Sequence, residues 1–163
     1  MKRHMVFAFL VAVLGLVSGC TSAPQKSNTE GMIAAANELD KAFVAAFNRG
    51  DAEALASLYW NSPDVVSFQP DTLQARGLAE IKEAFAKSFT AVKGAKIEIT
   101  ESHQMPAGDV VIGWGLFRTT IPAADGKTTE MVGRYTDVKT QRDGKWVYLM
   151  DHGSAPLPPP PAR

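Results

Sequence analysis

The chain has 163 residues, with 17 Lys and Arg against 17 Asp and Glu, one Cys, three Trp and ten Pro. At 45% hydrophobic and 21% charged it has an ordinary globular composition, and its length allows one domain or at most a small pair. Balanced charge argues against a nucleic-acid binder, and a single Cys excludes an internal disulfide framework and any multi-cysteine zinc site.

Lys2, Arg3 and His4 precede an apolar run from Met5 to Val17, followed by Ser18-Gly19-Cys20. A basic start, a short apolar stretch and a small-residue exit form the secretory signal pattern, and the run is short of the roughly 20 residues that span a membrane comfortably. Val17-Ser18-Gly19-Cys20 resembles the lipobox of bacterial lipoproteins. The resemblance implies that residues 1–19 are a signal removed on export and that Cys20 becomes the lipidated N-terminus. The alternative is a plain signal peptide with an incidental Cys. With Lys2 and Arg3 gone, acidic residues slightly outnumber basic ones, so charge gives no attraction to an anionic membrane and the acyl chains are the anchor. No Asp follows Cys20, which in a Gram-negative host points to the periplasmic face of the outer membrane. Residues 20–29 are small and polar, a flexible tether.

The folded domain is expected over 30–155. Met32, Ile33, Ala36, Leu39, Phe43 and Phe47 recur at three- and four-residue spacing, an amphipathic helix that Asn48-Arg49-Gly50 ends. Asp51 can cap a short second helix carrying Leu55, Leu58 and Tyr59. Val65 to Phe68 reads as a strand closed by Pro70, and a third helix after Gly77 carries Leu78, Ile81, Phe85 and Phe89. Four strand-like runs follow, Lys96 to Ser102, Val110 to Ile121, Glu130 to Gln141 and Lys145 to Gly153, the last three joined by Pro122–Gly126 and Arg142-Asp143-Gly144. The tail, 156–163, is Pro-rich and expected as an exposed polyproline II segment. This order predicts an α+β fold, three N-terminal helices on a curved antiparallel sheet that curls into a cone around a cavity.

The block Phe43-x3-Phe47-x2-Gly50-Asp51-x3-Leu55-x2-Leu58-Tyr59, with Arg76-Gly77-x3-Ile81, resembles the SnoaL-like, DUF4440-type branch of the nuclear transport factor 2-like (NTF2-like) superfamily. The end, Arg142-Asp143-Gly144-Lys145-Trp146 and then His152-Gly153-Ser154-Ala155-Pro156, is similar to the close of the calcium/calmodulin-dependent kinase association domain of the same superfamily. The resemblance covers about Glu30 to Pro156. It implies fold and not activity, since this fold hosts unrelated functions.

Two hairpin registers compete for the last strands. A three-residue loop, Arg142-Asp143-Gly144, puts Gln141 opposite Lys145, so that Tyr135, Asp137, Leu149 and Asp151 share one face and Arg134, Val138, Trp146, Tyr148 and His152 the other. A two-residue loop slips the pairing by one and puts His152 beside Tyr135. Kinase association domains carry cavity-facing arginines at the positions matching Arg118, Asp137 and Gly153. That match favours the first register and implies that Trp114, Leu116 and Arg118 face the cavity. Candidate pocket residues are therefore Tyr59, Phe68, Trp114, Arg118, Tyr135, Asp137 and Asp151, an aromatic wall with one Arg against carboxylates, suited to a polar or zwitterionic small molecule. Arg118 with Asp137 reads equally as a buried structural pair.

Ketosteroid isomerases, which share the fold, need a carboxylate just before a Pro on the first strand; Gln69 stands there and cannot abstract a proton. A lyase or isomerase using Asp137 with Tyr135 or His152 remains open, although Asp151 and His152, as strand neighbours, point to opposite faces without a bulge. No metal-ligand spacing, phosphate loop or Ser nucleophile motif is present, so no cofactor is expected, and Gly113-x-Gly115 reads as a bend or bulge. The reading is a lipid-anchored envelope protein that binds a small molecule as a homodimer through the outer sheet face. An assembly module whose cavity is filled by its own side chains is the third possibility.

Overall fold

The computed structural model describes residues 26–123 and 125–156. The expected signal over 1–19, Cys20 and the tail beyond Pro156 lie outside the described residues. Three helices, α1 (Lys26–Arg49), α2 (Ala52–Ala56) and α3 (Gly77–Ala91), accompany six strands: β1 (Val66–Gln69), β2 (Thr72–Arg76), β3 (Lys96–Ala107), β4 (Val110–Pro122), β5 (Thr128–Arg142) and β6 (Lys145–Ser154). Helix α1 starts at Lys26, so the last residues assigned to a tether are helical. Among the described residues no helix is long and apolar enough to cross a membrane.

The helix ends follow their local chemistry. Gly50 closes α1 at φ +68°, where a Cβ would be strained, and Asp51 then caps α2 by accepting from the Ala54 N–H at 2.9 Å. At α3 the Glu80 carboxylate accepts from the Arg76 N–H at 2.9 Å, half of a capping box. Asn48 ties the end of α1 to the sheet by donating to the Ile97 carbonyl (3.0 Å) and accepting from its N–H (2.7 Å).

The strands form one sheet in the order β2-β1-β6-β5-β4-β3. Helix α3 carries the chain to the far edge at β3, and the meander β3 to β6 returns to lie beside β1 in the same direction. The sheet is therefore mixed, with β1 parallel to β6, and not wholly antiparallel as the sequence suggested. Strand β2 was not foreseen: it is an edge strand with Leu73 97% exposed and only Ala75 buried, so no apolar alternation announces it. Leu39, Leu55, Tyr59, Val65, Ile81, Phe85 and Tyr148 form the core between helices and sheet, with Phe43, Phe47 and Phe89 packed against it.

The β5–β6 hairpin follows neither expected register throughout. Arg142 pairs with Lys145 across the two-residue loop Asp143-Gly144, both residues at positive φ (51° and 76°) as a type I′ turn requires. The pairing then shifts between Val138 and Lys139, leaving Leu149 unpaired. Beyond this bulge Asp137 faces Asp151, Thr136 faces His152 and Tyr135 faces Gly153. One extra residue re-aims everything after it. Tyr148 and Asp151, an odd number of positions apart, thus share the inner face, and Trp146 joins the helix-side core instead of the outer face.

Candidate functional site

The curved sheet and the helices leave a cavity of about 230 Å³. Its wall is apolar: Phe43 and Phe47 of α1, Phe85 and Val92 of the α3 region, Ile97 and Ile99 of β3, and Phe117 and Ile121 of β4. The polar groups concentrate where β5 and β6 meet α1, with Asp40, Asp137, Asp151 and Tyr135 on the lining.

Below that end lies a charged cluster. Lys139 has no exposed surface; its ammonium donates to Asp40 Oδ2 at 2.9 Å and Gln104 Oε1 at 3.2 Å, and stands 2.7 Å from Asp40 Oδ1 and 3.0 Å from Asp137 Oδ1. Asp40 also accepts from the Tyr148 hydroxyl and from Gln104 Nε2, each at 2.7 Å. This satisfies Asp40 from three elements, as a buried charge requires. Asp137 draws on the Lys139 ammonium and the Gly113 backbone N–H, while its Oδ1 completes no aligned hydrogen bond. Gly113 makes the room. It pairs with Asp137 across β4–β5, and a Cβ there would collide with Asp137 Oδ1 and press on Lys139 Nζ at 3.0 Å. Gly113 is thus a pocket for neighbouring side chains, while Gly115 makes room for the backbone of the bulge on β3 between Ile99 and Glu101, where a Cβ would collide with the Glu101 carbonyl.

Burial pushes the Asp137 carboxyl up to about 6, more than the Lys139 charge lowers it, and Asp40 adds repulsion. Burial raises Asp151 further, to about 7; the hydroxyls of Ser67 and Tyr59 oppose the rise and the Asp137 charge adds to it. Yet Asp151 Oδ1, Ser67 Oγ and Tyr59 Oη are all buried without a closed hydrogen bond, as are Tyr135 Oη and Gln69 Nε2. Burial likewise lifts the Tyr135 hydroxyl to about 12 and holds Tyr59 and Tyr148 well above the ordinary phenol range. The cavity floor thus holds two carboxyls that titrate near neutrality and several polar atoms without partners.

The structure divides the sequence-based candidates. Tyr135, Asp137 and Asp151 line the cavity, as does Phe68, whose ring meets His152 edge-on at 5.9 Å. Tyr59 is not on the lining; it is buried behind Asp151, where it bridges in parallel to Tyr148. Trp114, Leu116 and Arg118 are on the outer face, contrary to the register that the kinase domains implied. The residues of β4 paired with inner Asp137, Tyr135 and Gly133 are Gly113, Gly115 and Phe117, so the even-numbered residues between them point away. Trp114 is 39% exposed and stacks on His103 at 5.4 Å, and Arg118 lies 3.7 Å from both Glu98 and Glu130. Arg118 and Asp137 therefore form neither a ligand site nor a buried pair. His152 pairs with Thr136 on the outer face and is exposed, so it cannot act with Asp137 or Tyr135 in the cavity. The cation beside the carboxylates is Lys139.

Lys139, Asp40, Gln104 and Tyr148 were missed. Two signals were available: Asp40 interrupts the apolar stripe of α1 between Ala36 and Phe43, and Lys139 stands two residues from Asp137, hence on the same strand face. Among the described residues no cluster of three or more His, Cys, Asp or Glu is placed to hold a metal ion.

The profile of the SnoaL-like domain matches residues 41–149. No curated protein matches the chain. Solved structures share the fold at low identity. A candidate calcium/calmodulin-dependent protein kinase II association domain from Xanthomonas campestris is 23% identical, with 90% of this chain and 97% of that one covered and a TM-score of 0.63. A candidate dehydratase of the NTF2-like family from Streptomyces avermitilis is 19% identical, covering 79% and 99%, at 0.69. An NTF2-like superfamily protein from Salmonella enterica is 16% identical, covering 79% and 94%, at 0.71.

Proposed function

Because the chain belongs to the SnoaL-like domain family, we propose that its cavity binds a small molecule and that lipidated Cys20 holds the domain at the bacterial cell envelope. The observation that carries the binding reading is the 230 Å³ cavity, apolar on its walls and carboxylate-bearing at one end. Concave apolar space with a few convergent polar groups is the usual form of a ligand site. The same cavity weighs against an assembly module packed solid by its own side chains.

The test is occupancy. Native mass spectrometry of the chain from its own host should show a non-covalent adduct. Gly153→Leu should abolish it: the Cβ position has only ordinary contacts, to Pro70 at 3.6 Å and Phe117 at 3.9 Å, and the longer side chain would enter the cavity. An adduct that survives this change would place the ligand elsewhere. For the anchor, Cys20→Ser should move the protein from the membrane to the soluble fraction, and retention in the membrane would overturn the lipoprotein reading. The homodimer reading is supported by the outer sheet face, where Trp114, Leu116, Val132 and Met105 are exposed together.

A second reading, proton transfer by a lyase or isomerase, is favoured by one observation: Asp137 and Asp151, directly opposed on β5 and β6, titrate near neutrality and both reach the cavity. A carboxyl matched to ambient pH is what general acid–base chemistry needs. If the bound molecule is turned over, Asp151→Asn should stop turnover while the chain stays folded; unchanged turnover would exclude that role.

A further inference from the structure

We propose that the cavity selects an amphipathic cation: a small protonated amine whose apolar body lies between Phe43, Phe47, Ile97 and Phe117 and whose ammonium sits against Asp151 and Asp137. This rests on the small-molecule reading above and names its ligand class. The charge on the lining is one-sided. Among the described residues four aspartates, Asp40, Asp71, Asp137 and Asp151, line the cavity, and no Lys, Arg or His does. An anionic ligand would meet repulsion and no countercharge.

The buried cation nearby among the described residues is already committed. Lys139 divides its ammonium among Asp40, Asp137 and Gln104, so two buried carboxylates already share that one positive charge. Asp151 is left over: it stands directly across the strand from Asp137, where like charges repel, and its neighbours are the neutral hydroxyls of Ser67 and Tyr59, with no cation paired to it among the described residues. Tyr135 Oη, on the same lining with the Ser102 hydroxyl as its neighbour, keeps lone-pair capacity for a further donor. An ammonium has three donors and no acceptor, which complements this set, whereas a neutral hydroxyl offers one donor and no charge. At about 230 Å³ the cavity exceeds the roughly 150 Å³ that takes a benzene ring, which suits a single ring with a short arm.

The groups around Asp151 set the pH dependence: Ser67 of β1, Tyr59 after α2, Asp137, Lys139 and Tyr135 of β5, Tyr148 of β6 and Asp40 of α1. A cationic ligand favours the ionised carboxyl, so binding displaces a proton from it and strengthens as pH rises through neutrality.

Titration calorimetry of the full chain with 2-phenylethylammonium, 2-phenylethanol and phenylacetate tests this. At pH 8 the amine should bind at least about tenfold tighter than the alcohol, as charge-assisted hydrogen bonds warrant, and phenylacetate should not bind. The preference should shrink at pH 5.5 and vanish in Asp151→Asn. If the alcohol or phenylacetate binds as tightly as the amine, the ligand class is wrong and the small-molecule reading stands. If none of the three binds, both fall. An amine preference that persists in Asp151→Asn removes Asp151 from the site; should that variant not fold, the pH dependence of the native chain decides.

Discussion

Replacing Asp151 by Asn should stabilise the protein at neutral and alkaline pH and leave it unchanged in acid. The carboxyl has an ordinary pKa of 3.8 and about 7 in the folded chain, raised chiefly by burial. Below 3.8 it is protonated in both states and costs nothing. Between 3.8 and about 7 the unfolded chain ionises while the folded one does not, so stability is lost progressively, and above 7 the loss is complete. Each tenfold difference in proton affinity is worth about 1.4 kcal/mol, which puts the full loss at about 4 kcal/mol as an upper limit. Solvent reaching the half-buried side chain lowers the figure to roughly 2–3 kcal/mol. Asn keeps the shape, and its amide can donate toward Ser67 or Tyr59. Urea unfolding followed by tryptophan fluorescence at pH 4.5, 6 and 8 would measure it, with the m-value checked for constancy. Wild type and variant should coincide within about 1 kcal/mol at pH 4.5 and diverge by about 2–3 kcal/mol at pH 8, the variant being more stable. A residual slope below pH 6 should persist in the variant, since Asp137 is raised as well. Parallel profiles, or a variant that loses stability relative to wild type as pH rises, would refute the picture of a carboxyl held against its preference.

Lys139→Met strands Asp40 and Asp137 without their cation and should cost about 3–5 kcal/mol in urea unfolding, with a smaller loss at pH 5, where the carboxyls can protonate. Gly113→Ala drives a methyl into Asp137 and should destabilise by about 1–3 kcal/mol, whereas Gly153→Ala, with only ordinary contacts, should be nearly neutral by thermal denaturation. Trp114→Asp on the outer face should dissociate the proposed dimer in sedimentation experiments and leave cavity binding intact, because Trp114 does not line the cavity.

The legible parts of the sequence were those in which local chemistry and periodicity agree. The stripe through Ala36, Leu39, Phe43 and Phe47, the Gly50-Asp51 junction and the four long strands all follow from side-chain spacing and capping, and they suffice for an α+β cone. The site depended on a register that local chemistry does not contain. Asp143-Gly144 does specify a two-residue turn, but nothing in Tyr148-Leu149-Met150 marks the shift at Leu149. That single residue decides that Asp151 faces the cavity and His152 faces solvent. The placement of Arg118 failed for a related reason. The family correspondence turns Arg118 inward, whereas the inner positions of β4 are Gly113, Gly115 and Phe117, two of them recognisable only by the space they leave.

That space explains how so much charge can be housed in so apolar a shell. A charged residue on the inner face of a strand needs volume on the neighbouring strand as well as a partner. Gly113 provides it opposite Asp137, and Gly153 leaves the floor open opposite Tyr135. The partner for two of the carboxylates is supplied once, by Lys139, with Tyr148 and Gln104 completing Asp40. The arrangement is thus closed around Asp40 and open around Asp151. A structural ion-pair network would be expected to satisfy each member, because a half-satisfied buried network is worse than an apolar core. The imbalance lies around Asp151, where Ser67 Oγ and Tyr59 Oη behind it are also without a closed hydrogen bond. The stability cost predicted for Asp151 is therefore the cost of keeping a carboxylate available to whatever enters, and the same substitution that recovers that stability should remove the recognition.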